Sequence, residues 1–511
     1  RKEFYIGQPK TGTAFRGIFH RSDRVPASQT VHGIDGVRRP MVPWDEQKDI
    51  VIVGSGMAGL CAAIAADDAG ASVLVLEKMK VVGGNTRISD GCVAAPGNYL
   101  QKKRGIPDSP ERFYEDMLRA GLGLNHPELA RIVAEAAAEA IEWTRALLGV
   151  RYRDRLDRFG GHSMARSLTT VNRSGADFIR AQMALLEQRG VEVRTRCLLT
   201  RLLTDPQGAI TGVQIRSGYQ FPDDGSGIEK NIFARRAVIL ATGGFGSDMP
   251  FRRRQAPRLD ASVDSTNHRG ATADGLIAAL EAKAQPVQLS WIQLGPWGCP
   301  DETGYGSGGS FAGYSVYPAG IVIDPATGRR IVNEWTDRRQ RCDAIFQAGH
   351  NCLGIVDAGG AELAADSLQP CLRRGIVMPY PTLTDLAAAF AIPNGRLEAT
   401  VEGYNHAVRE GGVDPFGKPL SNGAKALVQP PFYAVRLWPK VHYTSGGVGI
   451  DSRAQVIHLH GQPIPRLFAA GEVCGGIHGA SRLGSCALTE CMVFGRIAGR
   501  QAAAVCPRCP A

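Results

Sequence analysis

Three short runs carry side chains that do chemistry once they are taken out of water. In His478-Gly479-Ala480-Ser481-Arg482-Leu483-Gly484, an arginine is set among glycines and apolar residues. A guanidinium cannot shed its charge, so Arg482 needs an anion or a carbonyl oxygen, either on a substrate or in a salt bridge within its own domain. In Asn333-Glu334-Trp335-Thr336-Asp337-Arg338, the terminal arginine can pass a proton only if it is desolvated and connected to a relay. With Arg339 and Arg341 beside it, Arg338 also reads as part of a solvated basic helix face. The third run is Val441-His442-Tyr443-Thr444-Ser445-Gly446-Gly447. The Tyr443 phenol is neutral at pH 7 and can donate to a ketone or enolate oxygen or pass a proton. Ser445, two residues on, falls on the same side of an extended segment and could continue that relay. Arg338, Tyr443, Arg482, Ser445 and His442 form the candidate catalytic set.

Two ends of the chain must position these groups. Asp49-Ile50-Val51-Ile52-Val53 reads as a buried strand and runs into Gly54-Ser55-Gly56-Met57-Ala58-Gly59. An apolar helix is expected from Leu60 to about Ala66, then a strand Ser72-Val73-Leu74-Val75-Leu76 that ends on Glu77. Strand, GxGxxG turn, helix, strand and acid is the order a dinucleotide fold needs. Gly54 makes the tight turn, Gly56 admits a pyrophosphate, and Gly59 allows close helix–strand packing. The helix N-terminus offers free N–H groups to phosphates, and Glu77 can accept from ribose hydroxyls. The alternative is a tight turn in a fold that binds nothing. Lys78, Gly84, Asn85, Thr86, Ser89, Gly91, Gly243 and Asp274 join the candidate cofactor set. Far downstream, Pro465-Arg466-Leu467-Phe468-Ala469-Ala470-Gly471-Glu472 precedes the Arg482 run, and the two ends together point to FAD.

The fold class expected is α/β, a Rossmann-like FAD-binding domain interrupted by an α+β capping domain. Residues 1–45 are polar, basic and rich in Gly and Pro, and read as an extended arm. The FAD-binding domain is assigned to 46–285, with strand-like Val191–Thr195 and Ala237–Ala241 and a helix opening at Gly270–Gly275. Tryptophans and a Gly/Tyr/Ser-rich stretch, Tyr305–Tyr317, mark 286–440 as the capping domain, and 441–511 returns to the FAD-binding domain. An insertion that closes over a cofactor puts the active site at the domain interface. Composition is that of a globular enzyme, 44% hydrophobic and 21% charged. The net charge of +10 comes from dispersed arginines, which argues against a nucleic-acid partner. No apolar run approaches a membrane span. No metal site is expected. The cysteines read as small buried hydrophobes, with a terminal disulfide between Cys506 and Cys509 as one option. No signal peptide is visible, and a bacterial-type soluble enzyme of the cytoplasm is preferred over one of the periplasm.

From Val82-Gly83-Gly84-Asn85-Thr86 onward, residues 46–500 resemble the fumarate reductase/succinate dehydrogenase flavoproteins, a superfamily that extends to urocanate reductases and ketosteroid dehydrogenases. The resemblance implies a ribitol-binding role for Glu472. It also implies that Gly484-Ser485-Cys486-Ala487-Leu488 opens a helix aimed at the flavin pyrimidine, so Ser485, Ala487 and Leu488 join the cofactor set. Family members with covalent flavin carry His where Asn85 stands, so the FAD is expected to be non-covalent. By the same resemblance Arg482 holds a substrate carboxylate and Arg338 delivers a proton, while Tyr443 replaces a substrate-contacting His. The family's Gln-Ala-His-Pro-Thr run falls near Ile292–Pro296 without its His, and its Thr-Glu-x-x-Arg run falls near Phe311–Val316 without its charges. Tyr305, Tyr314, Tyr317 and Trp297 are the substitutes available. They imply a pocket suited to a carboxylate or ketone bulkier than fumarate. The expected function is therefore an FAD-dependent oxidoreductase that adds or removes hydrogen across a C–C bond next to a carbonyl. The Tyr-x-Ser pattern resembles ketosteroid dehydrogenases and gives a second reading, as a cyclic-ketone dehydrogenase. A non-catalytic electron-transfer subunit is the third. Any electron-transfer partner would be a separate chain or carrier.

Overall fold

The strand Glu46–Val53 ends in an apolar run that is buried on both faces, and Ile50, Val51 and Ile52 have no accessible surface. Such a strand belongs inside a parallel sheet covered on both sides. The computed structural model describes residues 43–420 and 424–509. In it, Glu46–Val53 lies between Val73–Leu76 and Ile228–Leu240, parallel to both. The sheet runs Gln455–Ile457, Pro463–Ala469, Ile228–Leu240, Glu46–Val53, Val73–Leu76, Glu192–Arg194. A hairpin of Cys197–Thr204 and Ile210–Ser217 joins it along the first half of Ile228–Leu240. The register sets Val53 level with both Leu76 and Leu240. Three strands therefore end together, and the segments leaving them border one crevice, where open α/β sheets bind ligands.

Helix Met57–Asp68 starts directly on the glycine turn, three residues earlier than its apolar run suggests. It packs against the long helix Cys486–Ala503 at contacts that leave no room for side chains. A Cβ at Gly495 would stand 2.5 Å from the Ala58 carbonyl oxygen, and one at Gly499 2.3 Å from that of Ala62. This contact joins the two cofactor-type segments of the sequence. Downstream, the expected helix at 270–275 begins only at Asp274, because Gly270–Ala273 form a turn whose amides bond His268 Nδ1 and Asp248 Oδ2.

A second sheet is antiparallel, in the order Arg329–Arg330, Ile321–Asp324, Cys352–Val356, Phe432–Leu437, Val377–Tyr380, with helices such as Arg338–Ala348 and Arg396–Glu410 around it. Between the two sheets, a short ribbon pairs Ile292–Gly295 with Lys440–Thr444 and sets Gln293 opposite Tyr443. The described residues from Pro43 onward pack as one compact unit. Of the expected arm, residues 1–42 lie outside the described residues. Trp44 stacks edge-on against Phe233, and the Asp45 amide bonds the Asn231 carbonyl. No helix among the described residues is long and apolar enough to cross a membrane. Cys506 and Cys509 are exposed and unbridged.

Candidate active site

The glycine turn is dictated by contact. Gly54 has φ +109, and a Cβ there would lie 2.2 Å from the Ala241 carbonyl oxygen. A Cβ on Gly59 would lie 1.9 Å from the Gly54 carbonyl oxygen. Gly56 is the opposite case: the nearest atom to its Cβ position is 3.8 Å away, so a ligand can approach the backbone. Glu77 Oε2 accepts from the Ser55 amide (3.1 Å) and hydroxyl and locks the turn. Thr86 Oγ1 accepts from the Met57 amide (3.1 Å).

A narrow cavity of about 120 Å³ runs along this turn, past Ser55, Met57, Ala58, Glu77, Lys78, Gly84 and Gly243, to Asp274, which pairs with Lys78 at 2.6 Å. It shares Asn85, Thr86, Glu472 and Cys491 with a wide cavity of about 690 Å³, so the two form one trough. Ser89, Ser485, Ala487 and Leu488 line the wide part. Ser485 has φ +65 and a buried hydroxyl with no partner, and no side chain caps the helix Cys486–Ala503 that follows. Uncapped N–H groups at the start of a long helix attract negative charge. A trough with an open glycine turn at one end and a bare helix N-terminus in its wide part fits an extended, anionic dinucleotide such as FAD. Asn85 is fixed by its partners: Nδ2 donates to Asn267 Oδ1 (2.7 Å), and Oδ1 accepts from the His268 amide (2.7 Å). Glu472 Oε1 accepts from the Thr444 amide (2.9 Å), while burial pushes its carboxyl upward. Gly91 lies outside the trough. It is a packing position, where a Cβ would meet the Ser174 carbonyl oxygen at 2.7 Å.

Among the arginines that line the wide cavity are Arg338, Arg341 and Arg482. Glu334 anchors the loop that leads to Arg338. It is 1% exposed and accepts from the Val322 amide (3.0 Å), from Arg330 (2.7 Å) and from Lys418 (3.1 Å). Asp337 then caps helix Arg338–Ala348 through the amides of Arg339 and Gln340, so Arg338 is the first residue of that helix. Its Nη1 donates to Gln293 Oε1 (3.0 Å) and its guanidinium lies 4.5 Å over the Trp297 ring. Gln293 turns its amide nitrogen to the Arg482 carbonyl (2.9 Å) and the Ser481 hydroxyl (3.0 Å), bridging the two arginine segments. Arg482 is 4% exposed, donates from Nη1 to the Leu483 carbonyl (2.8 Å), and lies 4.5 Å over the Tyr443 ring. Its Nε has no partner. Among the described residues, none of the three arginines has a carboxylate within ion-pair distance. Burial, then repulsion from Arg482 and Arg341, hold Arg338 well below the usual arginine range. Of the three arginines expected on a solvated helix face, Arg339 alone stays off the cavity lining, and it pairs with Asp343 at 3.3 Å. Arg341 is 5% exposed and stacks 4.4 Å over Tyr317.

Tyr443 and His442 both line the wide cavity. Burial pushes the Tyr443 phenol well above its usual value. Burial, with repulsion from Arg338 and Arg482, holds His442 well below its own, so the imidazole is neutral. His442 Nδ1 is hydrogen-bonded to Thr266 Oγ1 (2.8 Å), and its ring meets Trp297 edge-on. Ser445 does not join them. Strand Lys440–Thr444 ends one residue before it, and its buried hydroxyl has no hydrogen-bond partner and lies off the cavity lining, so the Tyr443–Ser445 relay is not formed.

Sequence reasoning missed Asp90, which lies on the cavity wall and accepts from the Tyr305 hydroxyl (3.1 Å) and the Tyr314 hydroxyl (3.2 Å). Its setting, Ile88-Ser89-Asp90-Gly91, reads as an ordinary turn. Arg341 did leave a signal: at three residues from Arg338 it shares that residue's helix face. Among the described residues no group of three His, Cys, Asp or Glu side chains could hold a metal ion.

The chain matches the FAD binding domain family over residues 49–488 and belongs to it. It is an FAD-dependent oxidoreductase with the α/β fold of the fumarate reductase-like flavoproteins. It is 41% identical over 475 residues to the acrylate reductase flavoprotein subunit of Shewanella woodyi, covering 90% of this chain and 92% of that protein. Its structure is similar to the open conformation of a flavocytochrome c3 fumarate reductase, with a TM-score of 0.71 and 31% identity over 90% of this chain and 78% of that one. It is also similar to a 3-ketosteroid-Δ4-(5α)-dehydrogenase from Rhodococcus jostii RHA1, with a TM-score of 0.70 and 25% identity over 90% of this chain and 98% of that one.

Proposed function

We propose that this protein reduces the C=C bond of an α,β-unsaturated carboxylate, and that Arg482 and Arg338 are the groups that act on the substrate. One observation carries this reading: the guanidiniums of half-buried Arg338 and of buried Arg341 and Arg482 face the wide cavity with no carboxylate partner among the described residues. Buried charge without a counter-ion is costly, and a substrate carboxylate would relieve that cost. The 41% identity to an acrylate reductase flavoprotein subunit supports the same direction.

When bound, FAD supplies hydride transfer to the β carbon. The protein does the rest. Arg482 holds the carboxylate from above the Tyr443 ring and polarises the double bond. Arg338, fixed through Gln293, gives a proton from its guanidinium to the α carbon, a transfer eased by its depressed proton affinity. Neutral His442, held by Thr266, and the Tyr443 hydroxyl orient the carboxylate without adding charge. Phe159, Trp297 and Trp335 shield the site from water and leave room for a β substituent larger than that of fumarate. Asn85 has no nucleophilic imidazole, which supports non-covalent FAD. The name of the Shewanella woodyi relative, a flavoprotein subunit, supports electrons that arrive from a separate redox partner.

The test is reoxidation of chemically reduced enzyme by arylacrylates, acrylate, fumarate and cyclic enones. Arylacrylates are expected to reoxidise the enzyme fastest and cyclic enones not at all. Turnover confined to cyclic ketones would instead establish the steroid-type reading, which the similarity to the Rhodococcus jostii enzyme supports and the placement of Ser445 weakens.

A further inference from the structure

A proton given up by Arg338 has to be replaced, and Arg338 has no carboxylate partner of its own among the described residues. The lining of the same cavity holds one. Asp90 sits in the turn between helix Gly84–Ile88 and strand Cys92–Ala94. Tyr305 and Tyr314 reach it from a distant part of the sequence: Tyr305 precedes helix Gly306–Phe311, and Tyr314 lies in the π-helical turn Ala312–Val316. Such turns occur often at functional sites. Both hydroxyls donate to the same oxygen, Asp90 Oδ2, at 3.1 and 3.2 Å. Behind Tyr314, the Arg173 guanidinium lies 4.1 Å over the phenol ring and pairs at 3.3 Å with Asp366, whose side chain is 61% exposed. In front, Tyr305 meets the edge of Trp297 with ring centroids 6.3 Å apart, and Arg338 lies over that same ring.

We propose that Asp90 is the proton store that recharges Arg338, with Tyr305 as the hydroxyl that carries the proton between them. This rests on the enoate reductase reading above. In the step, Arg338 loses one N–H proton to the substrate α carbon and becomes a neutral guanidine. With Asp90 protonated the Tyr305–Asp90 hydrogen bond reverses: the carboxyl O–H donates to the Tyr305 oxygen, which frees the Tyr305 hydroxyl proton to pass toward Arg338 through one cavity water as the oxygen takes the proton of the Asp90 carboxyl. One proton moves in all: Arg338 is again a cation, Tyr305 is again a phenol, and Asp90 is left as a carboxylate. The store refills from solvent on the Asp366 side.

The groups facing Asp90 suit a store. Burial is the largest influence and raises the carboxyl above the usual range, with Arg173, Tyr305, Tyr314 and Arg338 each pulling it part of the way back. Burial also pushes the Cys92 thiol, 3.1 Å from the Tyr314 hydroxyl, up to about 12, so it stays neutral. Both phenols are held well above their usual value, by burial and then by Asp90, and relay as hydroxyls rather than phenolates. Asp90 acts through Tyr305 and Arg338, so it is a positioning and supply residue rather than one that touches substrate.

The test uses the full FAD-loaded chain and its Asp90→Asn, Asp90→Glu and Tyr305→Phe variants. Single-turnover reoxidation of the reduced enzyme by an arylacrylate is followed across pH, with binding of the saturated acid measured in parallel. Asp90→Asn and Tyr305→Phe are expected to slow reoxidation by about 10²–10⁴-fold, the usual worth of positioned proton transfer. Binding of the saturated acid should be unchanged, Asp90→Asn should flatten the pH profile, and Asp90→Glu should restore most of the rate. A rate and pH profile for Asp90→Asn close to those of the wild type would overturn the proposal, as would equal slowing by Asp90→Glu, which marks a purely structural contact. Infrared spectroscopy gives a readout that needs no turnover. A protonated-carboxyl band that Asp90→Asn lacks should persist above about pH 4, the ordinary aspartate value, and its absence would overturn the proposal. If the wild type is reoxidised by no enoate, the reductase reading is what fails, and the infrared band still decides on Asp90.

Discussion

Two sets of arginines held inside this protein, buried or half-buried, follow opposite rules. Arg166 has no accessible surface and meets two carboxylates, Asp108 at 2.8 Å and Asp116 at 2.6 Å, while its neighbour His162 bonds the Gly484 carbonyl at 2.9 Å. Arg338, Arg341 and Arg482 meet none among the described residues and rest instead on the rings of Trp297, Tyr317 and Tyr443. An aromatic face offsets part of the desolvation of a cation but does not neutralise it. Burial lowers the proton affinity of Arg166, Arg338 and Arg341 alike. The carboxylates more than reverse this at Arg166, whereas Arg338 and Arg341 stay depressed. Paired arginines hold the frame, here the turn that starts the cofactor-facing helix. Unpaired ones store an attraction for an anion from outside.

The largest effect should come from the unpaired set. Arg338→Ala is expected to slow single-turnover reoxidation by about 10²–10⁴-fold while FAD stays bound, because positioned proton transfer is lost. A near-normal rate would remove Arg338 from the chemistry. Arg166→Met should act on stability instead, at about 3–5 kcal/mol, since it strands two buried carboxylates; chemical unfolding of the FAD-loaded protein measures it. The same pair sets an acid limit. Burial alone would raise the Asp108 and Asp116 carboxyls, but hydrogen bonds from Arg166 and its neighbours outweigh it and hold both low. Their stabilisation is therefore complete above the unfolded aspartate value of about 3.9 and is lost as pH falls below it. Arg166→Met should blunt that loss. Arg482→Lys should weaken binding of the saturated acid by about tenfold to a hundredfold, as an ammonium cannot reproduce a forked contact; titration of the flavin spectrum reads this directly. Arg339→Ala is expected to change stability by no more than about 0.5 kcal/mol and to leave turnover intact, because Arg339 forms only a partly exposed pair with Asp343. A larger loss of turnover there would blur the line between the two sets.

The cofactor cradle was legible because its parts are neighbours in sequence as well as in space. Glu46 to Glu77 fold into one strand–turn–helix–strand unit, and steric contact alone fixes Gly54 and Gly59. Arg338 and Arg482 were legible as candidates for a related reason, since each sits in a short run whose neighbours restrict it. What the sequence hid depends on elements that meet only in the fold. Gln293 bridges two arginine segments because a ribbon with a bulge between Gln293 and Leu294 places it opposite Tyr443. Asp90 meets Tyr305 and Tyr314 in a cavity lining that no local pattern announces. Ser445 failed as a relay member because the alternation rule holds only inside a strand, and this strand stops at Thr444.

If the unpaired arginines await a carboxylate, an acid and its neutral isostere must bind differently. The most direct measurement is equilibrium binding of a saturated arylpropionate and of its isosteric primary amide to the oxidised, FAD-loaded protein, followed by the flavin spectrum. The carboxylate should bind at least about a hundredfold more tightly, a difference of about 2.8 kcal/mol, and Arg482→Lys should erase most of that margin. Equal binding of acid and amide would contradict the claim and make these arginines part of the frame.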